Sequence, residues 1–150
     1  MRGKDKGFSL VELIVVIAIM AVAVSVSGYA LSTISLANAK NCATEIKSKL
    51  DLVRLESTTN LDQAAQVLWL YEKDDSVYLQ VGSGTAKEIG NSSVTVKCDG
   101  SALTEDGVKF QYDKGSGAFV TFGCGKIEVS GAGREYTLTL YQKTGKVKME

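Results

Sequence analysis

Gly7-Phe8-Ser9-Leu10-Val11-Glu12-Leu13-Ile14-Val15-Val16-Ile17-Ala18-Ile19-Met20-Ala21-Val22-Ala23-Val24 is the most constrained run in this chain of 150 residues. Residues 13–24 contain nothing polar, Ser25 and Ser27 barely interrupt the run, and Leu31 closes it. A helix over residues 8–31 would extend about 36 Å at 1.5 Å per residue, enough to cross a hydrocarbon core of about 30 Å. Arg2, Lys4 and Lys6 precede the run, and the next cation, Lys40, lies well beyond it. That asymmetry keeps the N-terminus in the cytoplasm and sends the rest of the chain out.

Three readings fit a basic start followed by an apolar run. A secretory signal peptide has both, with Ser25-Val26-Ser27 as a loose cleavage site. A plain signal anchor fits equally well. Neither explains Glu12, because a carboxylate in an apolar span costs about 2.5–3.5 kcal/mol near the bilayer centre and is normally paired.

Gly7-Phe8-Ser9-Leu10-Val11-Glu12-Leu13 resembles the class III signal of type IV prepilins and pseudopilins. In that family a short basic leader ends in Gly, Phe usually follows, and a Glu stands five places after the cut. The resemblance covers residues 1–30. It implies that a prepilin peptidase cuts between Gly7 and Phe8 and methylates the new amine of Phe8. It also implies that the apolar helix is kept, anchoring the precursor in the inner or cytoplasmic membrane until an assembly platform moves it into an extracytoplasmic filament. The expected partners are copies of the chain and other pilin-like subunits. Within the filament, Glu12 of one subunit would pair with the Phe8 amine of the next, offsetting two desolvation penalties together. Many members carry a Pro about twenty residues into the mature helix. This chain has no Pro, and residues 23–29 offer Gly28 instead, so a straighter helix is expected, weakest at Gly28 and its flanking serines.

Beyond Leu31 the apolar pattern becomes periodic. Ala39, Cys42/Ala43, Ile46, Leu50 and Val53 recur at three- and four-residue steps, which is one helical face. Leu52 and Leu55 fall off that stripe and read as surface leucines, with a subunit contact as the other reading. Ser57-Thr58-Thr59-Asn60, poor helix formers, should end the helix. A single stripe followed by strands suits packing on a sheet better than a coiled coil.

From Leu61 onward the chain reads as strands. Val67-Leu68-Trp69-Leu70-Tyr71 and Val77-Tyr78-Leu79-Gln80-Val81 flank Lys73-Asp74-Asp75-Ser76, a hairpin pattern. Further strands are expected at 93–98, 108–112, 118–122, 126–130, 134–141 and 146–149, separated by Gly and Asp/Asn clusters. Alternation puts Tyr136, Leu138 and Leu140 on one face. The expected fold is therefore α+β: a long N-terminal helix packed on a C-terminal antiparallel β-sheet domain of seven or eight short strands, pilin-like in plan. The expected divisions are a cleaved leader at 1–7, a membrane and assembly half of the helix at 8–31, an amphipathic half at 32–59 and a β-rich head at 60–150. A second resemblance, to the H-type minor pseudopilins and related minor pilins, rests on Val53-Arg54-Leu55-Glu56, Gly107-Val108-Lys109-Phe110, Tyr136-Thr137-Leu138-Thr139-Leu140 and Thr144-Gly145-Lys146-Val147.

Composition removes several functions. The chain has no histidine, which excludes Ser-His and Cys-His nucleophile pairs and every imidazole zinc site. Cys42, Cys98 and Cys124 form no C-x-x-C pair, so no metal motif and no cofactor are expected. Cys98 and Cys124 are the candidate disulfide; two free buried thiols is the other reading, and spacing alone leaves both open. The Gly-rich pieces lack the phosphate-loop pattern and read as turns. An enzyme is the least supported class. Net charge is zero overall, and residues 60–150 hold ten Lys/Arg against twelve Asp/Glu. That balance argues against nucleic acid as a partner. The competing function is a minor pilin whose head binds a ligand such as DNA or a surface, with Lys143, Lys146 and Lys148 as the candidate basic patch.

Overall fold

The structure is a computed structural model that describes residues 9–59 and 67–150, with the side chains of 26–32 left out. One helix, α1 (Leu10–Thr59), precedes ten strands: β1 (Val67–Lys73), β2 (Ser76–Val81), β3 (Lys87–Gly90), β4 (Thr95–Cys98), β5 (Ser101–Ala102), β6 (Val108–Tyr112), β7 (Phe119–Phe122), β8 (Lys126–Gly131), β9 (Arg134–Tyr141) and β10 (Lys146–Met149). The chain divides into two compact units, Met1–Ile34 and Ser35–Glu150.

In the first unit α1 begins at Leu10 and runs through the Gly28 stretch without interruption. Its side chains from Leu10 to Val24 are apolar on every face apart from Glu12 and are exposed, from Leu10 at 74% to Val16 at 43%.

In the second unit the strands form two five-stranded antiparallel sheets. The first has the order β3-β2-β1-β6-β7 and the second the order β10-β9-β8-β4-β5. The helix packs on both. Ala39, Cys42, Ala43, Ile46, Leu50 and Val53 are fully buried, while Leu52 and Leu55 are exposed, as the periodicity requires. Sheet residues meeting that stripe in one continuous core include Leu68, Leu70, Phe110 and Tyr112 from the first sheet and Val96, Ile127, Val129 and Leu138 from the second. Burial of each such aliphatic side chain is worth about 1.5–3 kcal/mol.

Polar contacts pin the helix along its length. Ser35 Oγ donates to the Ser93 carbonyl at 2.9 Å, Lys87 pairs with Glu45 at 2.8 Å, and Arg54 Nε donates to the Gly117 carbonyl at 3.3 Å. α1 ends at Thr59, where Thr58 and Thr59 hydroxyls bond back to helix carbonyls.

The hairpins follow from turn chemistry. Three two-residue turns have positive φ at both central residues: Asp74-Asp75, Asp99-Gly100 and Ala132-Gly133. That is the backbone twist that suits a tight antiparallel hairpin. The expected strands are present, and β9 turns Leu138 and Leu140 inward with Tyr136 packed against the core. Among the described residues ten strands form rather than seven or eight. The additional two are β3, Lys-Glu-Ile-Gly with one apolar side chain, and β5, only two residues long. Neither carries enough alternation to be seen as a strand beforehand.

Two glycines at positive φ differ in what surrounds them. A Cβ at Gly145 (φ 63°) would stand 1.7 Å from the Gly117 carbonyl oxygen, because the β9–β10 turn rests on the turn before β7. A Cβ at Gly133 (φ 78°) would meet nothing within 4 Å. Gly133→Ala should cost about 1–2 kcal/mol, the left-handed penalty alone. Gly145→Ala should cost that plus about 1–3 kcal/mol of overlap. Urea unfolding followed by Trp69 fluorescence compares them, and equal losses would contradict the turn-on-turn contact.

Candidate functional site

The N-terminal candidates lie at the start of α1. Gly7 and Phe8 fall outside the described residues. Ser9 is the N-cap: its hydroxyl accepts from the Glu12 backbone N–H at 3.2 Å. Glu12 reaches back, its carboxylate accepting from the Ser9 backbone N–H at 3.3 Å and from the Ser9 hydroxyl at 3.5 Å. This reciprocal pair is a capping box, which satisfies two backbone donors that no helical carbonyl reaches. It also places a negative group at the positive end of the helix dipole. Sequence reasoning weighed Glu12 only as a buried charge needing a partner and missed this local one. The signal was present in Ser9-Leu10-Val11-Glu12, a Ser followed three residues later by Glu at the head of an apolar run.

Behind the box, the helix surface from Leu10 to Val24 is continuous apolar side chain. Exposed apolar area of this extent marks a surface meant to be covered. Among the described residues no helix is long and apolar enough to cross a membrane. The expected 8–31 span reaches beyond those residues, at Phe8 and at the side chains of 26–31.

Two of the three cysteines, Cys98 and Cys124, sit in the head. Cys98 ends β4, and Cys124 lies in the crossover that carries the chain from β7 in one sheet to β8 in the other. Both are buried free thiols that face the same small cleft. The neighbouring Cys98 thiol first, then burial and the nearby Asp99 charge, push the Cys124 thiol well above its ordinary value. Asp99 braces the crossover, its carboxylate accepting from the backbone N–H groups of Gly125 at 3.0 Å and Lys126 at 2.8 Å. The two thiols line a small cleft of about 140 Å³ with Leu103, Val108 and Gly123. Cys42 stands apart on the helix stripe, where burial first and Glu45 second push its thiol up to about 12.

The candidate basic patch is modest. Lys146 and Lys148 are exposed on edge strand β10, Lys143 is exposed in the turn before it, and Lys148 pairs with Glu150. Among the described residues no group of three or more His, Cys, Asp or Glu side chains is placed to hold a metal ion.

A family model described as the prokaryotic N-terminal methylation motif matches residues 2–28. By that motif the chain carries the class III signal, which supports a type IV pilin or pseudopilin and implies a membrane-anchored precursor that prepilin peptidase processes. The match lies wholly in the N-terminal segment and does not distinguish the H-type subtype. No curated protein and no solved structure was found to match the chain.

Proposed function

We propose that the chain is a structural subunit of a type IV pilus-like filament, a pilin, competence pilin or secretion pseudopilin, rather than an enzyme. The observation that carries this reading is the bare apolar helix of residues 10–24, headed by Glu12 and overlaid by the methylation motif. Cleavage between Gly7 and Phe8 leaves Ser9 and Glu12 in the mature chain, so the capping box survives processing. The precursor is a single-pass protein of the cytoplasmic membrane, N-terminus inside, with residues 8–31 in the bilayer and the β-rich head outside. Assembly exchanges lipid around that segment for the same segment of neighbouring subunits. The resemblance of the last hairpin to H-type subunits favours a minor, initiating position.

Glu12 then has two tasks: it caps its own helix, and its charge meets the methylated Phe8 amine of an adjacent subunit. The two are separable. Glu12→Gln keeps a capping-box side chain but removes the charge. Glu12→Ala removes both. Loss of one partner of a buried pair costs about 3–5 kcal/mol, whereas loss of a cap costs about 1 kcal/mol. Both variants should therefore be processed normally and both should be depleted from filaments, Gln nearly as strongly as Ala. Normal incorporation of Glu12→Gln would remove the charge-pairing role.

The exported head meets an oxidising compartment. There the Cys98 and Cys124 thiols give up two protons and two electrons to a disulfide-carrying thiol oxidant, which is reduced to its dithiol as one S–S bond forms. Closing the loop between them stabilises the head by about 3–4 kcal/mol and ties the crossover to the second sheet. Alkylation of the unfolded native protein without reductant should label Cys42 alone. Labelling at all three cysteines would contradict the bond.

A further inference from the structure

In an α-helix each backbone N–H bonds the carbonyl four residues back. Among the described residues the first such bond of α1 runs from the Leu13 N–H to the Ser9 carbonyl at 3.2 Å. One register further back, the Glu12 N–H would take the Phe8 carbonyl. One more, and the Val11 N–H would take the carbonyl of Gly7. That last carbonyl is the one prepilin peptidase has to open.

The Glu12 N–H is already committed elsewhere. It donates to the Ser9 hydroxyl at 3.2 Å, and α1 begins at Leu10. This bond uses the backbone of Glu12, not its carboxylate, so it persists in Glu12→Ala. Gly7, a poor helix former, opposes extension as well. The pull toward extension is real, because the segment that follows is apolar on every face apart from Glu12. In apolar surroundings a backbone N–H without an acceptor is costly. Were the Ser9 hydroxyl absent, the Phe8 carbonyl would be the next acceptor for the Glu12 N–H, and that bond would bring the Val11 N–H onto Gly7.

We propose that Ser9 is a positioning residue for processing: its hydroxyl ends the helix short of the Gly7 carbonyl and keeps the Gly7–Phe8 bond open to prepilin peptidase. The role rests on the filament reading, which supplies the cut. The motif matched at residues 2–28 spans both that bond and Ser9. In the cut, water adds to the Gly7 carbonyl carbon and the bond to the Phe8 nitrogen breaks. Gly7 leaves as a carboxylate, and Phe8 becomes an ammonium group. As charge develops on the carbonyl oxygen, that oxygen must meet donors of the enzyme. In a helix it already accepts from its own chain and the adjoining turn covers the carbon, so the first turn would have to unwind before every cut.

The test uses the full-length precursor in membrane vesicles with prepilin peptidase, and reads the initial rate of cleavage after Gly7. Loss of a serine cap shifts a helix equilibrium about fivefold, so Ser9→Ala should be cut about fivefold more slowly. Ser9→Thr keeps the acceptor. Ser9→Gly has no hydroxyl, but glycine caps nearly as well and resists the helix. Both should stay within about twofold of the unaltered chain. Ser9→Ala cut at the unaltered rate would overturn the proposal. So would Ser9→Gly cut as slowly as Ser9→Ala, which would mean that the enzyme reads the hydroxyl itself. An unaltered precursor that is not cut after Gly7 would instead remove the filament reading, and this role with it.

Discussion

The head depends on one stripe of α1. Ala39, Cys42, Ala43, Ile46, Leu50 and Val53 lie in the single core shared by both sheets. Neither sheet can close over itself, since each presents one apolar face. The small residues of the stripe permit close approach. A Cβ at Gly131, at the end of β8, would come within 2.9 Å of the Ala39 Cβ, and one at Gly90, at the end of β3, within 3.3 Å of the Cys42 sulfur. Sheet ends on both sides therefore press backbone against helix at the same level. Larger residues at 39 or 42 would push the sheets away and expose the core between them.

The same helix meets a different demand nearer its start. Up to Val24 its apolar residues surround the axis instead of forming a stripe. A helix that is apolar all round is a core or membrane element, so this segment needs apolar surroundings, while the stripe already has its partner. The change from all-round to one-sided pattern is a change of environment along one continuous element. Glu12 is the exception within the apolar segment, and its capping bonds to Ser9 give the carboxylate a partner within its own helix.

Much of this was legible in the sequence, and what escaped has physical causes. The stripe, the helix end at Thr59 and the β1–β2 hairpin could be seen because periodicity, helix breakers and Asp-rich turns act locally. β3 and β5 could not, because their identity comes from the strands beside them: Lys87 and Glu88 are in a strand because β2 pairs with them. The division into two sheets depends on crossovers between distant segments, which no local pattern encodes. Cys98 and Cys124 could be named as a pair, but their meeting depends on the crossover that Asp99 braces. The capping role of Glu12 was readable in four consecutive residues and was obscured by the stronger question of its charge.

The central claim is that the apolar helix is kept and its N-terminal end is a processed Phe8. The direct measurement is the intact mass and N-terminal residue of the protein recovered from its native membrane. The account predicts a chain that begins at Phe8 and carries one added methyl group. A chain that begins near Gly28, or one that retains Met1, would contradict it and leave an ordinary signal peptide or anchor in its place.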